Sequence, residues 1–240
     1  MTDNPALLAL LDVQAHDTKL DQIRHQLAHL PAQAERDAAA TALVDAQRSL
    51  AERTAVRDEL AKQQKRVDDE VELLKEKRQG FDQKLYGGTV TNPRELQDLQ
   101  EEIDSLGRRI SQLEDEELAI MEQVEPVEAE LVALSTTAEQ RATVLADAEV
   151  RLTDARAELA AALEAEGAVR DEAARPVPAD LLGEYEQLRA GRGGIGVAKL
   201  TGAQCGGCHL TLSAMEAARL RKLPDGEFGH CEECGRILVP

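Results

Sequence analysis

A chain of 240 residues with two tyrosines, two phenylalanines and no tryptophan lacks the bulky side chains that a large globular core leans on. A net charge of −18, from 46 acidic and 28 basic residues, excludes a surface that is everywhere a sleeve for nucleic acid. No apolar run is long enough to span a bilayer and Met1–Asn4 has no basic signal region, so the expectation is a cytoplasmic protein with reduced cysteines and no membrane partner.

Asn4-Pro5 pairs an N-cap type with a proline suited to a first helical turn. Leu10, Val13, Leu20, Ile23, Leu27 and Leu30 follow at seam-like spacing. Pro31 removes a backbone donor and predicts a break or sharp kink. After an alanine-rich stretch the seam resumes through Leu43, Ala46, Leu50, Leu60, Val67, Val71, Leu74, Phe81 and Leu85.

Gly87 and Gly88 predict the end of this helix, because glycine accepts the left-handed conformation of a C-cap. Asn92, Pro93 and Glu95 predict the cap and first turn of the next. From Leu96 the steps of three and four never slip: Leu99, Ile103, Leu106, Ile110, Leu113, Glu117, Ile120, Val124, Val127, Leu131 and Leu134. They continue through Ala138, Arg141, Leu145, Ala148, Leu152, Ala155, Leu159, Ala162, Glu166 and Val169. An ordinary helix drifts off a 3.5-residue repeat within a few turns, so this is a coiled-coil seam. Pro126 lies inside the phase and predicts a kink, not a new domain. The short turn near 86–92 makes the helices antiparallel neighbours, about 120 Å long at 1.5 Å per residue. With the turn centred near Thr89, Leu60 should face the region of Leu118, and Leu43 that of Leu134.

Pro176-Val177-Pro178 closes the long helix, giving an expected division into a hairpin, 1–175, and a C-terminal module, 176–240. The module should hold a short helix over 180–190, strands at 195–200, 209–212 and 236–239, and a helix capped by Ser213 and reaching about Lys222. The fold class is mainly α: a long kinked antiparallel coiled-coil hairpin followed by a small metal-stapled module.

Within the module stand Cys205-Gly206-Gly207-Cys208 and Cys231-Glu232-Glu233-Cys234. Two Cys-x-x-Cys pairs at this separation form a zinc-ribbon signature, with Cys205, Cys208, Cys231 and Cys234 holding one structural Zn2+. Four thiolates leave no position for a catalytic water. Cys205-Gly206-Gly207-Cys208-His209 also fits a haem-attachment pattern, but the second pair then has no role. His209 and His230 flank the cysteines and read as neighbours of the site rather than ligands.

The turn Tyr86–Leu96, the cysteine pairs and the ending Cys234-Gly235-Arg236-Ile237-Leu238 resemble the bacterial C4-type zinc-ribbon proteins with an N-terminal coiled-coil hairpin. The resemblance implies a non-enzymatic role through protein contacts, with RNA as a further partner. Some relatives of that kind are linked to an alternative sigma factor and to export machinery.

The residues themselves favour an adaptor or chaperone-like scaffold with protein partners and no small-molecule substrate. No glycine-rich phosphate loop or Ser/His/Asp constellation supports an enzyme. Tyr86, Val90 and Arg94 at the turn are one candidate partner surface; Arg219, Arg221 and Lys222 on the module are another. Nucleic-acid binding through the ribbon is the alternative. Residues 189–240 hold seven basic and five acidic side chains, but the acidic hairpin opposes a polyanion.

Overall fold

The Asn4 side chain accepts from the N–H groups of Ala6 (3.1 Å) and Leu7 (3.4 Å), and Pro5 opens helix α1, Pro5–Ala28. This is the start of a computed structural model that describes residues 4–224 and 227–240; Met1–Asp3, read above for a signal region, lie outside the described residues. His29 leaves helical geometry at φ −127°, and the chain restarts with Pro31 as the first residue of α2, Pro31–Tyr86. The expected break is there because proline has no N–H to give and disfavours helix in the residue before it. Gly88 takes φ +73°, Asn92 Oδ1 accepts from the Arg94 N–H at 3.1 Å, and α3 runs Pro93–Ala174 without interruption at Pro126. The module adds α4 (Ala179–Gly191), β1 (Val197–Thr201), β2 (Gln204–Cys205), α5 (Ala214–Leu220), β3 (Gly229–His230) and β4 (Ile237–Val239).

These elements make two compact units, Arg36–Ala148 and Met1–Glu35 with Glu149–Pro240. In the first of these, α2 and α3 run antiparallel. Val67 and Val71 pack with Ile110, Leu113 and Ile120, and Ile103, Leu106, Val127 and Ala148 are also buried at their expected seam positions. Ion pairs flank the seam: Lys77–Glu102 (3.4 Å), Arg109–Glu70 (2.9 Å) and Arg53–Glu130 (2.5 Å). Leu60 packs against the cluster that contains Ile120, in the region of Leu118, whose own side chain is 58% exposed. Arg141, in phase with the seam, is exposed, since its long stem carries the charge out to water.

In the other unit four strands form one sheet in the order β2-β1-β4-β3, with β1 and β4 parallel at the centre. The alternation of a strand sorts their side chains. Val197, Ile237 and Val239 face one core with Leu7, Leu10 and Val13 of α1 and with Val177, Leu181 and Tyr185. Ala198, Leu200 and Leu238 face a second core with Leu212, Ala217, Leu220 and the cysteines. The unit thus takes in residues from both sides of position 175.

Polar groups fix α1 in place. The Tyr185 hydroxyl, fully buried, donates to Asp17 Oδ2 at 2.6 Å, and Arg170 Nε donates to Asp17 Oδ1 at 3.2 Å. Arg189 donates to the Asp17 carbonyl at 3.3 Å and pairs with Asp21. Burial, and then the bond to Asp17, push the Tyr185 phenol well above its usual range, so it stays a neutral donor. Gln14 donates to the Gly194 carbonyl (2.9 Å) and accepts from the Gly196 N–H (2.8 Å). Glu166, a polar seam position, bonds to His16 (2.6 Å) and Lys19 (3.4 Å).

Two expected pieces differ. Residues 209–212 contribute a single bridge, Gln204↔Thr211, rather than a strand, because His209 sits at φ +64°. The capped helix stops at Leu220, with Arg221 as its C-cap; Ser213 Oγ does accept from the Glu216 N–H at 3.1 Å.

Asp17→Ala should cost about 2–4 kcal/mol, because it strands the buried Tyr185 hydroxyl and takes one carboxylate from Arg170, a partly buried guanidinium that keeps Glu186. Tyr185→Phe should cost about 1–2 kcal/mol, since it removes one donor and keeps the ring. Urea denaturation of both variants, followed by circular dichroism, checks the order; equal losses would mean that packing, not the network, sets the stability.

Candidate metal centre

The four cysteines lie on two turns of the same build. Cys205 ends β2, and the N–H of His209 bonds back to the Cys205 carbonyl at 2.9 Å. Cys231 follows β3, and the N–H of Gly235 bonds back to the Cys231 carbonyl at 2.8 Å. In each the residue after the second cysteine is left-handed: His209 at φ +64° and Gly235 at φ +72°. Such a turn aims both sulfurs of a pair to one side. Gly206 is required by close approach, since a Cβ there would meet the Lys199 carbonyl oxygen at 2.8 Å.

All four Sγ atoms fall within 4.8 Å of one another, with Cys205–Cys234 at 3.9 Å and Cys208–Cys231 at 3.8 Å. Four sulfurs held tetrahedrally at about 2.3 Å from one ion lie about 3.8 Å apart. The donor set fits zinc in chemistry as well as spacing, because thiolates are soft ligands and zinc accepts a tetrahedron of them. Cys205, Cys231 and Cys234 are buried and Cys208 half-buried, which shields the centre from exchange.

The surroundings set the charge. Burial pushes the Cys231 thiol up to about 12, and raises Cys205 as well. At Cys234 burial pushes the same way, but N–H donors of the Arg236 backbone and side chain, with the neighbouring thiols, bring it down to about 7. Gly207 also aims its N–H at Cys205 Sγ, 3.4 Å away. A divalent cation is what lets four crowded sulfurs all be thiolates.

The other residues singled out in the sequence fall as follows. His230 Nε2 and Glu184 Oε1 lie 2.6 Å apart, tying β3 to α4, and His209 is exposed; neither belongs to the sulfur cluster. At the turn Tyr86 is 79% exposed, Arg94 is exposed and Val90 half-buried. Arg219 donates twice to Glu216 (2.8 and 2.5 Å), holding that carboxyl below its usual range, and Arg221 donates to the Gly202 carbonyl. Lys222 is exposed.

The sequence reading passed over Gln14, Asp17, Arg170, Tyr185 and Arg189 as a set. The available signal was Asp17 itself, a carboxylate in seam phase between Val13 and Leu20.

Zinc content should be one ion per chain, and Cys231→Ser should abolish it while most of the helical dichroism survives. His209→Gly should keep the zinc, since only its backbone takes part in the turn. Acidification should release zinc, because protons compete for the thiolates that bind it; metal-indicator titration from pH 8 downward checks the sign.

A family model for the CT398-like coiled-coil hairpin domain matches residues 13–193, and one for a C4-type zinc ribbon matches residues 204–238. A protein of Mycobacterium tuberculosis is 34% identical over 238 residues, covering 96% of this chain and 94% of its own. The solved structure of a Mycobacterium smegmatis protein superposes with a TM-score of 0.85 at 26% identity, covering 98% of this chain and 97% of that one. CT398 from Chlamydia trachomatis, at 19% identity and a TM-score of 0.67 over 97% of this chain and 96% of that one, shares the fold.

Proposed function

The chain belongs to the CT398-like coiled-coil hairpin family with a C4-type zinc ribbon, and on that premise we propose that it acts without catalysis, as an adaptor between protein partners. The observation that carries this reading is the metal centre, whose four ligands all come from the chain and leave a zinc ion no open position for substrate or water. The ion then holds a surface in shape instead of doing chemistry on it.

Two surfaces suit partners. At the turn, Tyr86 keeps a large amphipathic ring in water and Arg94 is exposed as well, both residue types often found at the centres of interfaces. On the ribbon, Lys222 lies just beyond α5 with Arg219 and Arg221 nearby. The nucleic-acid alternative is weaker there, because Arg219 is spent on Glu216 and Arg221 on the Gly202 carbonyl. Thiolate ligation suits a reducing compartment, so the cytoplasm is the proposed location. No described helix is long and apolar enough to cross a membrane.

Full-length protein, a Tyr86→Ala/Arg94→Ala variant and an Arg219→Ala/Arg221→Ala/Lys222→Ala variant, all zinc-loaded, separate the readings in affinity capture with and without nuclease. Protein partners that survive nuclease and are lost by about tenfold in one variant support the adaptor. Recovery of nucleic acid alone, falling steeply with salt and lost in the ribbon variant, would replace it.

A further inference from the structure

Helix α1 ends in two histidines one turn apart, His25 and His29, both on the exposed side of the helix. Their ring centroids are 4.2 Å apart with planes inclined at 32°. His29 Nδ1 lies 2.8 Å from the His25 carbonyl oxygen, which can only accept. In the neutral ring the proton is therefore on Nδ1, and Nε2 of His29 carries the lone pair. That second bond, from the far ring nitrogen to a backbone carbonyl, is the one metal-binding histidines characteristically make. The His25 ring has no hydrogen-bond partner among the described residues and borders an open groove of 410 Å³, so water and ions reach it freely.

The spacing also bears on the ion. Two imidazoles bound at right angles to one ion, with nitrogens about 2.0–2.1 Å from it, put their centroids about 4.5 Å apart. A tetrahedral angle puts them about 5.2 Å apart. The observed 4.2 Å puts both rings within reach of one ion, and nickel and copper, which take right-angled ligands, bind imidazole strongly. The pair also stands at a helix C-terminus, where the backbone dipole favours positive charge.

We propose that His25 and His29 form a second metal site, open and reversible, for a divalent ion of the nickel–copper class. It is separate in residues and in ligand chemistry from the four cysteines. Four thiolates enclose zinc and hold it tightly; two neutral imidazoles completed by water hold an exchangeable ion. Such a site gives the protein a surface whose charge follows the supply of that ion.

The test uses full-length, tag-free, zinc-loaded protein titrated with Ni2+ by calorimetry, with zinc followed by elemental analysis. One Ni2+ should bind beyond the zinc. His25→Ala and His29→Ala should each weaken it at least about tenfold, with zinc content and helical dichroism unchanged. Both side chains are exposed and alanine is a good helix former, so these variants keep the fold. With Cu2+ as the probe, the paramagnetic resonance spectrum should show two nitrogen ligands in the parent and one in each variant. Unchanged Ni2+ affinity in the double variant overturns the proposal. So does Ni2+ uptake matched by zinc release, or binding that is abolished by His209→Ala alone.

Discussion

A carboxylate taken out of water has to be met by donors, and Asp17 is 5% exposed. Its two oxygens and its carbonyl are met by Arg170 at the end of α3, and by Tyr185 and Arg189 on α4. Apolar packing alone tolerates a helix sliding or rotating by a fraction of a turn. A buried carboxylate does not, because any shift leaves charged and polar groups unpaired. Gln14 adds a second lock, presenting both ends of its amide to the backbone between Gly194 and Gly196. With α1 so fixed, Leu7, Leu10 and Val13 fall on the sheet.

That sheet is covered from both sides by different means. One face, through Val197, Ile237 and Val239, is closed by helices. The other, through Ala198, Leu200 and Leu238, is closed by α5 and by the sulfur cluster. Being covered on both faces, β4 is apolar throughout, Ile237-Leu238-Val239, while β1 buries Val197, Ala198 and Leu200 and leaves Lys199 and Thr201 exposed. A ribbon with so few large side chains could not fill two cores alone. The metal draws one face together, and a helix from the far end of the chain supplies the other.

The seam of α3, the turn at Gly88 and the four cysteines were legible because each rests on a local rule: a repeat, a left-handed residue, a fixed spacing. The role of α1 was not. Leu10, Val13 and Leu20 give a stripe with a 3.5-residue phase, and a stripe declares a buried face without saying what buries it. The clue to a different cover was Asp17, which has no place in a simple helix–helix seam. β2 and β3, of two residues each, are too short to show any period; the knuckle turns beside them create them. His209 looked like part of a strand by its neighbours, yet it occupies the place that Gly235 fills in the second knuckle, and that equivalence shows only in the backbone angles.

The core that joins α1 to the sheet is built from residues more than 200 positions apart in the chain. Leu7, Leu10 and Val13 are synthesised some 220 residues before Ile237 and Val239, which cover them. At about 5–20 residues per second, that apolar face lacks the cover of β4 for roughly 10–45 s. The hairpin between can pair its helices in the meantime, while the sulfur cluster is complete only when Cys234 has emerged. Until β4 is made, Leu7, Leu10 and Val13 have only Val177, Leu181, Tyr185 and Val197 to pack against. Helix α1 thus gains its full cover only once β4 has been made, and a chain that stops short of Ile237 leaves part of that apolar face bare.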